Sequence, residues 1–468
     1  MFDITGTYTD QYQITMGQVY FQRGHAKDIA VFDYFFRKLP FGGGYAVFAG
    51  LENVLDLLRN FKFSEKDLVF LKSLNLDPDY LDYLKDFRFT GNIYSCAEGE
   101  VVFQGEPVVR VEANIIEAQL IETLLLNFLN FQTLIATKAS RMVVQAKGRK
   151  LIDFGLRRAQ GLGGYHASRA AFIGGFEATS NTRAGRDFHF PVSGTMAHSF
   201  IQSYDDEYTA FRDFAASHPE NTILLVDTYD TLKSGVPNAI KVGKEMEQRN
   251  QKLKGIRLDS GDLAYLSRKS REMLDQAGLD YVKISVSNQL DEHLIKSLLD
   301  QDAPIDIFGV GTSLVTGRPD AALDGVYKLS FFRDKPRIKL SETIAKVTLP
   351  HKKQVYRMLD HNGHFTGADV VTMVEEENPE KMIHPFDPLK EMNIGDLQKE
   401  PLLQKVMENG KIIQEQKTIE EIASFSKERL KKLPQEYKRF FNPHIYKVGI
   451  SEKLKQERDG LIEEHKIK

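Results

Sequence analysis

The sequence has little cysteine, no large charge excess and no long apolar run, and each lack excludes a class of protein. Cys96 is the single cysteine of the 468 residues, which excludes an internal disulfide and a zinc site built from several thiolates. The formal net charge of −3 argues against a nucleic-acid-binding protein, which usually carries a basic excess. No run approaches the ~18 apolar residues of a membrane span, and the first residues lack the basic and apolar regions of a signal peptide. We therefore expect a cytoplasmic protein without nucleic-acid or membrane partners.

What remains is the composition of a globular protein with more than one domain. With 42% hydrophobic and 27% charged residues, the chain can bury apolar cores beneath a charged surface. One core rarely organises 468 residues, so we expect two or three domains.

The first 114 residues mix helical and strand patterns, which is typical of an α+β domain. Four side chains recur every fourth residue before Gly24 and predict a helix, namely Tyr8, Tyr12, Met16 and Tyr20. An aromatic strand is expected at 29–37, an amphipathic helix at 46–60, and a long apolar helix from about 116 past 142. Ser64 and Asp67 have the spacing of a capping box.

The middle of the chain alternates apolar strand-like segments with helical patterns. Five segments are rich in β-branched and apolar residues: Leu151–Phe154, Ile223–Val226, Gly255–Leu258, Val282–Val286 and Ile305–Val310. Helical patterns separate several of them, at 239–249, 262–276 and 291–299. Buried strands that alternate with helices predict a parallel α/β sheet, either open or closed into a barrel.

The residues that follow these segments favour the barrel. Each segment ends in polar, charged or glycine residues. In a barrel all the strand C-termini open on one face, so these groups converge on one site. An open sheet brings together only the groups at its switch point.

Two of these strand ends suit phosphate groups. Gly309, Gly311 and Thr312 can present backbone N–H groups to an anion, and Ser287 and Asn288 end the preceding strand. The third glycine of a dinucleotide fingerprint is missing. A tight structural turn explains the two glycines as well as an anion site does. In a barrel, however, the late strand loops often hold phosphate.

A cluster of charge follows the segment that ends at Leu258. Arg257, Asp259 and Asp262 suit a polyanion with a bound divalent cation. The alternative is a helix start, with Asp259 or Ser260 as N-cap and Asp262 in the first turn. That alternative does not explain an apolar strand that ends on an arginine.

Phe154, Arg157 and Arg158 form the third candidate group. An aromatic ring beside two guanidinium groups can stack on a flat heterocycle and hold a carboxylate or phosphate. Arginines exposed after a strand are also common in sites without function.

His198 is the fourth candidate. Ser193 or Thr195 is expected to cap a helix that carries His198 in its first turns. A lone histidine is more often a surface or satisfied core residue, and no serine-histidine-aspartate order or metal-binding histidine pair lies near it.

Together these segments resemble the nicotinate phosphoribosyltransferase family, in the order of that family over about the first 360 residues. The matching segments are Thr9–Met16, Phe36–Leu51, Phe154–Gly161, Gly174–Asn181, Gly194–Phe200, Leu225–Leu232, Gly255–Leu263, Phe308–Thr316 and Gly325–Leu329. The resemblance implies a type II phosphoribosyltransferase fold, in which an irregular α/β barrel packs with an α+β sandwich made from both ends of the chain. Beyond about Asp360, where the resemblance fades, a tail rich in lysine and glutamate predicts a small C-terminal domain with a helical end. The expected divisions are 1–114, 115–325, 326–360 (a return to the first domain) and 361–468.

The resemblance also implies roles for individual residues in a homodimer with a shared active site. Tyr12 of the partner copy and Phe154 would enclose nicotinate, which Thr195 and Arg257 contact. Three residues would be catalytic, namely His198, Asp227 and Asp259. ATP would phosphorylate His198. The phosphoribosyl pyrophosphate side would take Arg157, Arg158, Ser287, Asn288, Gly309, Gly311 and Thr312. Mg²⁺ and ATP are the expected cofactor and co-substrate, and no metal site built by the protein alone is expected.

The reaction fits these residues, because the pyridine nitrogen of nicotinate is already a nucleophile and needs no general base. Two rivals belong to the same class, the transferases that act on nicotinamide and on quinolinate, and the latter needs more cationic groups. A barrel that senses nucleotides without turnover should lack one of the strand-end charges or His198, and none is missing.

Overall fold

A computed structural model of the chain describes residues 3–343, 346–387 and 389–466. The chain divides into two compact units. The first unit contains Met1–Thr137, Ala322–Lys417 and Ser424–Lys468, and the second contains Lys138–Ala321 with Thr418–Ala423. The first domain boundary was expected at residue 114, but the chain passes from one unit to the other at Thr137 and Lys138, within a long helix. In the described ranges, no helix has the length and apolar character required to cross a membrane.

The N-terminal segment contains six helices and five strands. The helices are α1 (Gln11–Gln22), α2 (Leu51–Asn60), α3 (Glu65–Ser73), α4 (Pro78–Lys85), α5 (Ile115–Leu120) and α6 (Glu122–Ala146). The strands are β1 (Ile29–Phe36), β2 (Ala46–Val47), β3 (Asn92–Ser95), β4 (Val101–Val102) and β5 (Val109–Asn114).

Most of the local predictions for this segment are confirmed, with two departures. The long helix predicted from about residue 116 is interrupted at Ile121, between α5 and α6. The predicted capping box forms, with Ser64 N–H donating to Asp67 at 2.6 Å and Asp67 N–H to Ser64 Oγ at 3.2 Å. The helix expected from residue 46 was wrong at its start, since Ala46 and Val47 form β2. Gly50 has a φ of 102°, which breaks any helix there, so α2 begins at Leu51.

The middle segment contains the second unit's six strands and eight helices. The strands are β6 (Lys150–Asp153), β7 (Ala178–Thr179), β8 (Ile223–Leu225), β9 (Gly255–Leu258), β10 (Lys283–Ser287) and β11 (Ile307–Val310). The helices are α7 (Leu162–Ile173), α8 (Thr182–Phe188), α9 (His198–Gln202), α10 (Glu207–Ser217), α11 (Val236–Gln248), α12 (Leu263–Gln276), α13 (Glu292–Asp300) and α14 (Thr312–Val315). All five predicted strands are present, and the two-residue β7 was not predicted because it is too short to show a pattern.

The strand order shows why this sheet is a barrel and not an open sheet. All its strands are parallel, in the order β7-β6-β11-β10-β9-β8. The first strand in sequence, β6, therefore pairs with both the next strand and the last, which is the connection that closes a barrel. Between β7 and β8 the ladder is replaced by irregular chain, where Thr179 bridges Val192. The barrel is irregular at that point.

The C-terminal segment returns to the first unit. Its strands are β12 (Gly325–Phe332), β13 (Lys335–Pro336), β14 (Lys353–Leu359), β15 (Phe365–Met373), β16 (Lys381–Ile383), β17 (Glu391–Asn393), β18 (Gln398–Pro401), β19 (Gln404–Glu408), β20 (Lys411–Ile412) and β21 (Lys447–Ile450). Its helices are α15 (Ile419–Lys432) and α16 (Glu452–Lys466).

Strands from both ends of the chain share one sheet of seven strands. Its order is β13-β12-β1-β5-β3-β19-β20, and β1 pairs with β12 so that Tyr34 lies opposite Tyr327. A second sheet of six strands has the order β17-β16-β21-β15-β14-β18. The expected α/β fold, with a barrel and a sandwich built from both chain ends, is confirmed.

Candidate active site

The C-terminal ends of the barrel strands bring most of the predicted site residues together within the second unit. The parallel register places Asp153 of β6 beside Val310 of β11, and Gly309 of β11 beside Ser287 of β10. Hydrogen bonds and ring contacts connect the side chains that follow these strands. We call this set the strand-end cluster: Phe154, Thr195, His198, Asp227, Arg257, Asp259, Ser287 and Gly309.

Two carboxylates of the strand-end cluster are joined through the backbone of the loop after β9. Asp227 Oδ2 accepts from Asp259 N–H at 2.9 Å and from Ser260 Oγ at 2.5 Å. Asp259 Oδ1 in turn accepts from Ser287 Oγ. The other oxygen of Asp227, Oδ1, is buried and has no hydrogen-bond partner within the described ranges. Both carboxylates therefore accept hydrogen bonds from neutral donors, and neither forms an ion pair with a lysine or arginine within the described ranges.

The helix-start alternative explains only one residue of this loop. Asp262 is the N-cap of α12, where its side chain accepts from Tyr265 N–H at 3.0 Å. Asp259 and Ser260 lie before the helix and direct their side chains to Ser287 and Asp227.

His198 lies beside the carboxylates, although its helix begins differently from our prediction. It is the first residue of α9, and the N-cap position is Ala197, without a side-chain cap. The prediction that Ser193 or Thr195 caps this helix was wrong. His198 Nδ1 lies 3.0 Å from Thr228 Oγ1, and Nε2 lies 3.9 Å from Asp259 Oδ2.

Arg257 is held by neutral acceptors. Its Nη1 donates to Thr195 Oγ1 at 2.7 Å, and its Nη2 donates to the Met196 carbonyl at 3.0 Å. Its Nε is buried without a partner in the described structure. Desolvation lowers the pKa of Arg257, which Asp259 and Asp227 partly oppose. A half-buried guanidinium with a buried, unused donor is suited to an anionic ligand.

Phe154 is in contact with Gly309 and faces Arg257. A Cβ atom at Gly309 would lie 2.3 Å from a carbon of the Phe154 ring, so only glycine leaves room for this ring. The guanidinium carbon of Arg257 lies 6.0 Å from the ring centroid. Gly309, a glycine of β11 that was predicted to bind phosphate, therefore has a second, steric reason to be there.

The remaining predicted residues lie around this cluster. Arg157 and Arg158 are exposed on a short 3-10 turn after β6. Asn288 follows β10 with a left-handed φ of 84°, and Gly311 precedes the four-residue helix that Thr312 begins. The geometry of the chain assigns these residues no ligand, so their phosphate roles stay predictions.

Tyr12 belongs to the first unit. It lies on α1 and is 47% exposed, with its Oη accepting from Gln13 Nε2 at 3.3 Å. Partial burial and the nearby Glu122 carboxylate raise the pKa of Tyr12 to about 12. An exposed aromatic side chain of this kind can meet another molecule, and its contribution to the site of a partner copy stays a prediction.

Two side chains that hold the site in place were given no role from the sequence. Thr228 follows Asp227 and contacts His198, but a threonine in a loop carries no pattern of its own. Asp153 is the last residue of β6 and is 1% exposed. A carboxylate at the end of an apolar strand was the available signal, and burial raises the pKa of this carboxyl.

A cavity of about 860 Å³ in the first unit contains none of the predicted residues. Its lining includes Phe35, Arg37, Lys328, Met382 and Tyr446. In the described part of the chain, no group of three or more histidine, cysteine, aspartate or glutamate side chains is arranged to hold a metal ion. The strand-end cluster is therefore recognised from the charged and polar side chains that it brings together, and not from the size of a cavity.

A parallel α/β barrel with charged and glycine residues at its strand ends is the architecture of an enzyme that binds phosphorylated substrates. Three family models cover nearly the whole chain: the nicotinate phosphoribosyltransferase N-terminal domain at residues 7–130, the nicotinate phosphoribosyltransferase family at 149–356 and the nicotinate phosphoribosyltransferase C-terminal domain at 352–458. The chain belongs to the nicotinate phosphoribosyltransferase family.

Individual relatives agree over the full length. The nicotinate phosphoribosyltransferase of Bacillus subtilis (strain 168) is 44% identical over 460 residues, which are 96% of this chain and 94% of that protein. The mouse nicotinate phosphoribosyltransferase is 32% identical and covers 97% and 96% of the two chains. The crystal structure of human nicotinic acid phosphoribosyltransferase superposes with a TM-score of 0.87 at 29% identity, covering 97% of this chain and 99% of that one.

Proposed function

We propose that this enzyme joins nicotinate to phosphoribosyl pyrophosphate, with ATP hydrolysis, to form nicotinate mononucleotide for NAD biosynthesis. The observation that carries the proposal is the strand-end cluster, in which neutral groups hold Arg257, Asp227 and Asp259, and no ion pair joins the arginine to either carboxylate within the described residues. Charges of both signs, held in fixed positions, suit two anionic substrates and a cationic transition state.

The nicotinate end lies at Phe154 and Arg257. The Phe154 ring offers a flat face, and the unused donor of Arg257 offers a partner for the nicotinate carboxylate. Thr195 fixes the guanidinium from the opposite side. In a homodimer, Tyr12 of the second copy stacks on the other face of the ring, because its exposed side chain is free to meet another molecule.

The phosphoribosyl pyrophosphate end lies along the late strands. Arg157 and Arg158 supply positive charge, and the loop from Gly309 to Thr312 supplies backbone donors, with Ser287 and Asn288 beside it. The pyridine nitrogen attacks the anomeric carbon as the bond to pyrophosphate breaks, so no proton is removed. The protein's work is to position two anions and stabilise positive charge on the ribosyl ring.

A divalent cation fits the two carboxylates of the cluster. Asp227 Oδ1 is a buried oxygen without a partner, and hard cations such as Mg²⁺ prefer oxygen ligands. Asp227 and Asp259 would hold Mg²⁺ together with oxygens of the substrate, since Mg²⁺ rarely relies on a cage made by protein alone. When bound, Mg²⁺ neutralises charge on the departing pyrophosphate.

His198 links ATP to this reaction. A ring nitrogen takes the γ-phosphoryl group of ATP and releases ADP, and water later hydrolyses the phosphoramidate. The added negative charge lies beside Asp259, 3.9 Å from the ring, and thereby changes the field at the pyrophosphate end. Thr228 orients the ring through its contact with Nδ1. Because phosphoryl transfer and ribosyl transfer are separate steps, ATP accelerates the reaction without contributing atoms to the product.

One assay of purified enzyme with nicotinate, nicotinamide or quinolinate, with and without ATP, tests the proposal. Strong preference for nicotinate and stimulation by ATP are expected. Equal turnover of nicotinamide and nicotinate would show that Arg257 is misassigned. Turnover of quinolinate alone would show that the substrate is quinolinate and not nicotinate. The cytoplasmic location is part of this proposal and is checked by fractionation.

His198→Asn separates the ATP step from ribosyl transfer. The variant should lose ATP hydrolysis and ATP stimulation while it retains a slow, ATP-independent transfer. In the unmodified enzyme, γ-labelled ATP should leave label on His198 that survives alkali and is lost in acid. ATP stimulation that persists in the variant would contradict the role.

A further inference from the structure

Asp153 is a buried carboxylate that the reaction does not use and whose hydrogen bonds are all satisfied. Gly155 N–H donates to its Oδ1 at 2.7 Å, and Ser168 Oγ and Thr179 Oγ1 each donate to its Oδ2 at 2.7 Å. Its side chain is 1% exposed. A charge that deep is costly unless strong hydrogen bonds hold it, so its place at the end of β6 needs an explanation.

The three donors come from three different elements around Phe154. Gly155 is the residue after Phe154, Ser168 lies on α7, and Thr179 ends β7. The backbone of Asp153 adds a fourth link, because Ser180 N–H donates to its carbonyl at 2.8 Å. Asp153 thus fastens the turn at Phe154 and Gly155 to the helix and strand that flank it.

Phe154 has little freedom on its other sides. Its N–H donates to the Val310 carbonyl at 2.7 Å. Its ring packs where Gly309 has no Cβ, and a Cβ at Gly155 would lie 2.0 Å from a Val315 methyl carbon. The ring position is therefore set from β11 on one side and through the Gly155 amide by Asp153 on the other.

We propose that Asp153 is a positioning residue, which acts on nicotinate binding through Phe154 by fixing the turn that carries this ring. The proposal rests on the proposed role of Phe154 as a stacking face for nicotinate. Asp153 touches no substrate, so its loss should move the nicotinate ring contact and spare the phosphoribosyl pyrophosphate end.

A double-mutant cycle on the full-length enzyme tests this role. Asp153→Ala should raise the KM for nicotinate about tenfold, because small misplacement of a contact group is enough for such a loss. The KM for phosphoribosyl pyrophosphate should stay within about twofold. Asp153→Asn should recover most of the loss, since the amide oxygen still accepts from Gly155 and the hydroxyl groups can reverse their roles. In a Phe154→Ala background, Asp153→Ala should have no further effect on the KM for nicotinate.

A second pair of variants covers the case in which Asp153→Ala fails to fold. Ser168→Ala combined with Thr179→Val removes two donors and keeps the carboxylate, and it should raise the nicotinate KM in the same selective way. The matched control is Asp67→Ala on α3, a buried carboxylate that also accepts from hydroxyl and backbone donors, Thr7 at 2.6 Å and Ser64 at 2.6 Å. It should lower stability without changing the nicotinate KM.

Two outcomes would overturn the inference. Equal increases of both KM values would show a general structural role, and so would an effect of Asp153→Ala that persists undiminished without the Phe154 ring. The unmodified enzyme is assayed first with nicotinate, because a lack of turnover there contradicts the proposed function and not the role of Asp153.

Discussion

Several carboxylates of the first unit are buried with cationic partners, whereas the half-buried carboxylates of the strand-end cluster have neutral hydrogen-bond partners. In the first unit, Arg357 lies 2.6 Å from Glu100 and 2.8 Å from Asp369, and Lys353 lies 2.7 Å from Asp33. In the strand-end cluster, Asp227 and Asp259 accept from hydroxyl and backbone donors instead.

The difference separates charge used for structure from charge used for chemistry. In a buried ion pair each charge is already neutralised by its partner, so little attraction remains for a ligand. Removing one member leaves a buried charge without a partner, which destabilises the fold. A carboxylate or guanidinium that only neutral groups hold still attracts an ion of the opposite sign. Asp67 and Asp153 are also held by neutral donors, but they are buried, whereas Asp227, Asp259 and Arg257 are partly exposed. Charge that is both accessible and held by neutral groups therefore identifies the candidate site better than cavity size does.

The largest effect is expected from breaking the network in the first unit. Arg357→Met leaves Asp369 buried without its ion-pair partner and Glu100 with Arg429 alone, and it should lower the free energy of unfolding by about 3–5 kcal/mol. Chemical denaturation measures this loss. Arg59→Met is the control, since its pair with Asp56 is exposed and should contribute less than about 1 kcal/mol. Equal losses in the two variants would remove the contrast.

Arg257→Ala should reduce binding and leave stability nearly unchanged. We expect kcat/KM for nicotinate to fall about 100-fold, equivalent to about 3 kcal/mol, and most of the preference over nicotinamide to disappear. The control is Arg271→Ala, which removes an arginine that donates to the Val282 and Leu279 carbonyls and should cost stability alone. A preference for nicotinate that survives in Arg257→Ala would place the carboxylate pocket elsewhere.

Asp259→Asn sharpens the comparison, because it removes charge and keeps shape. The amide oxygen can still accept from Ser287, so the fold should be unaffected or gain about 0.5–1 kcal/mol as an uncompensated charge is lost. Turnover should fall by about 100-fold, since this charge is directed at the transition state. The free energy of unfolding and kcat are both measured for this variant. A loss of stability above about 2 kcal/mol would show that Asp259 has a structural role.

The smallest effect is expected from Tyr12. Tyr12→Ala should weaken nicotinate binding by on the order of 1 kcal/mol, whereas Tyr12→Phe keeps the stacking face and should bind normally. Mixing Tyr12→Ala with Arg257→Ala subunits tests the shared site. A heterodimer places both defects in one site and leaves the other intact, so activity should rise on mixing. No gain from exchanged subunits would contradict a site completed by the partner.

The sequence by itself determined the local elements of the barrel and most of the strand-end residues. Ile256 and Leu258 of β9 are buried, as the apolar residues of this segment predict. Polar residues directly after them, such as Asp227 and Asp259, were identified because parallel strands must end on one face. His198 was a candidate from its own segment, and the resemblance to the family added the roles of Thr195 and His198.

Only the tertiary structure decided which side chains meet. The β2 strand at Ala46 and Val47 pairs with Val101 and Val102, a contact over some fifty residues that local helical periodicity cannot show. Likewise, Thr228 and Asp153 act through partners distant in sequence, His198 in one case and Ser168 with Thr179 in the other. Burial and hydrogen bonding between remote residues depend on the folded path of the chain, and local sequence carries no record of that path.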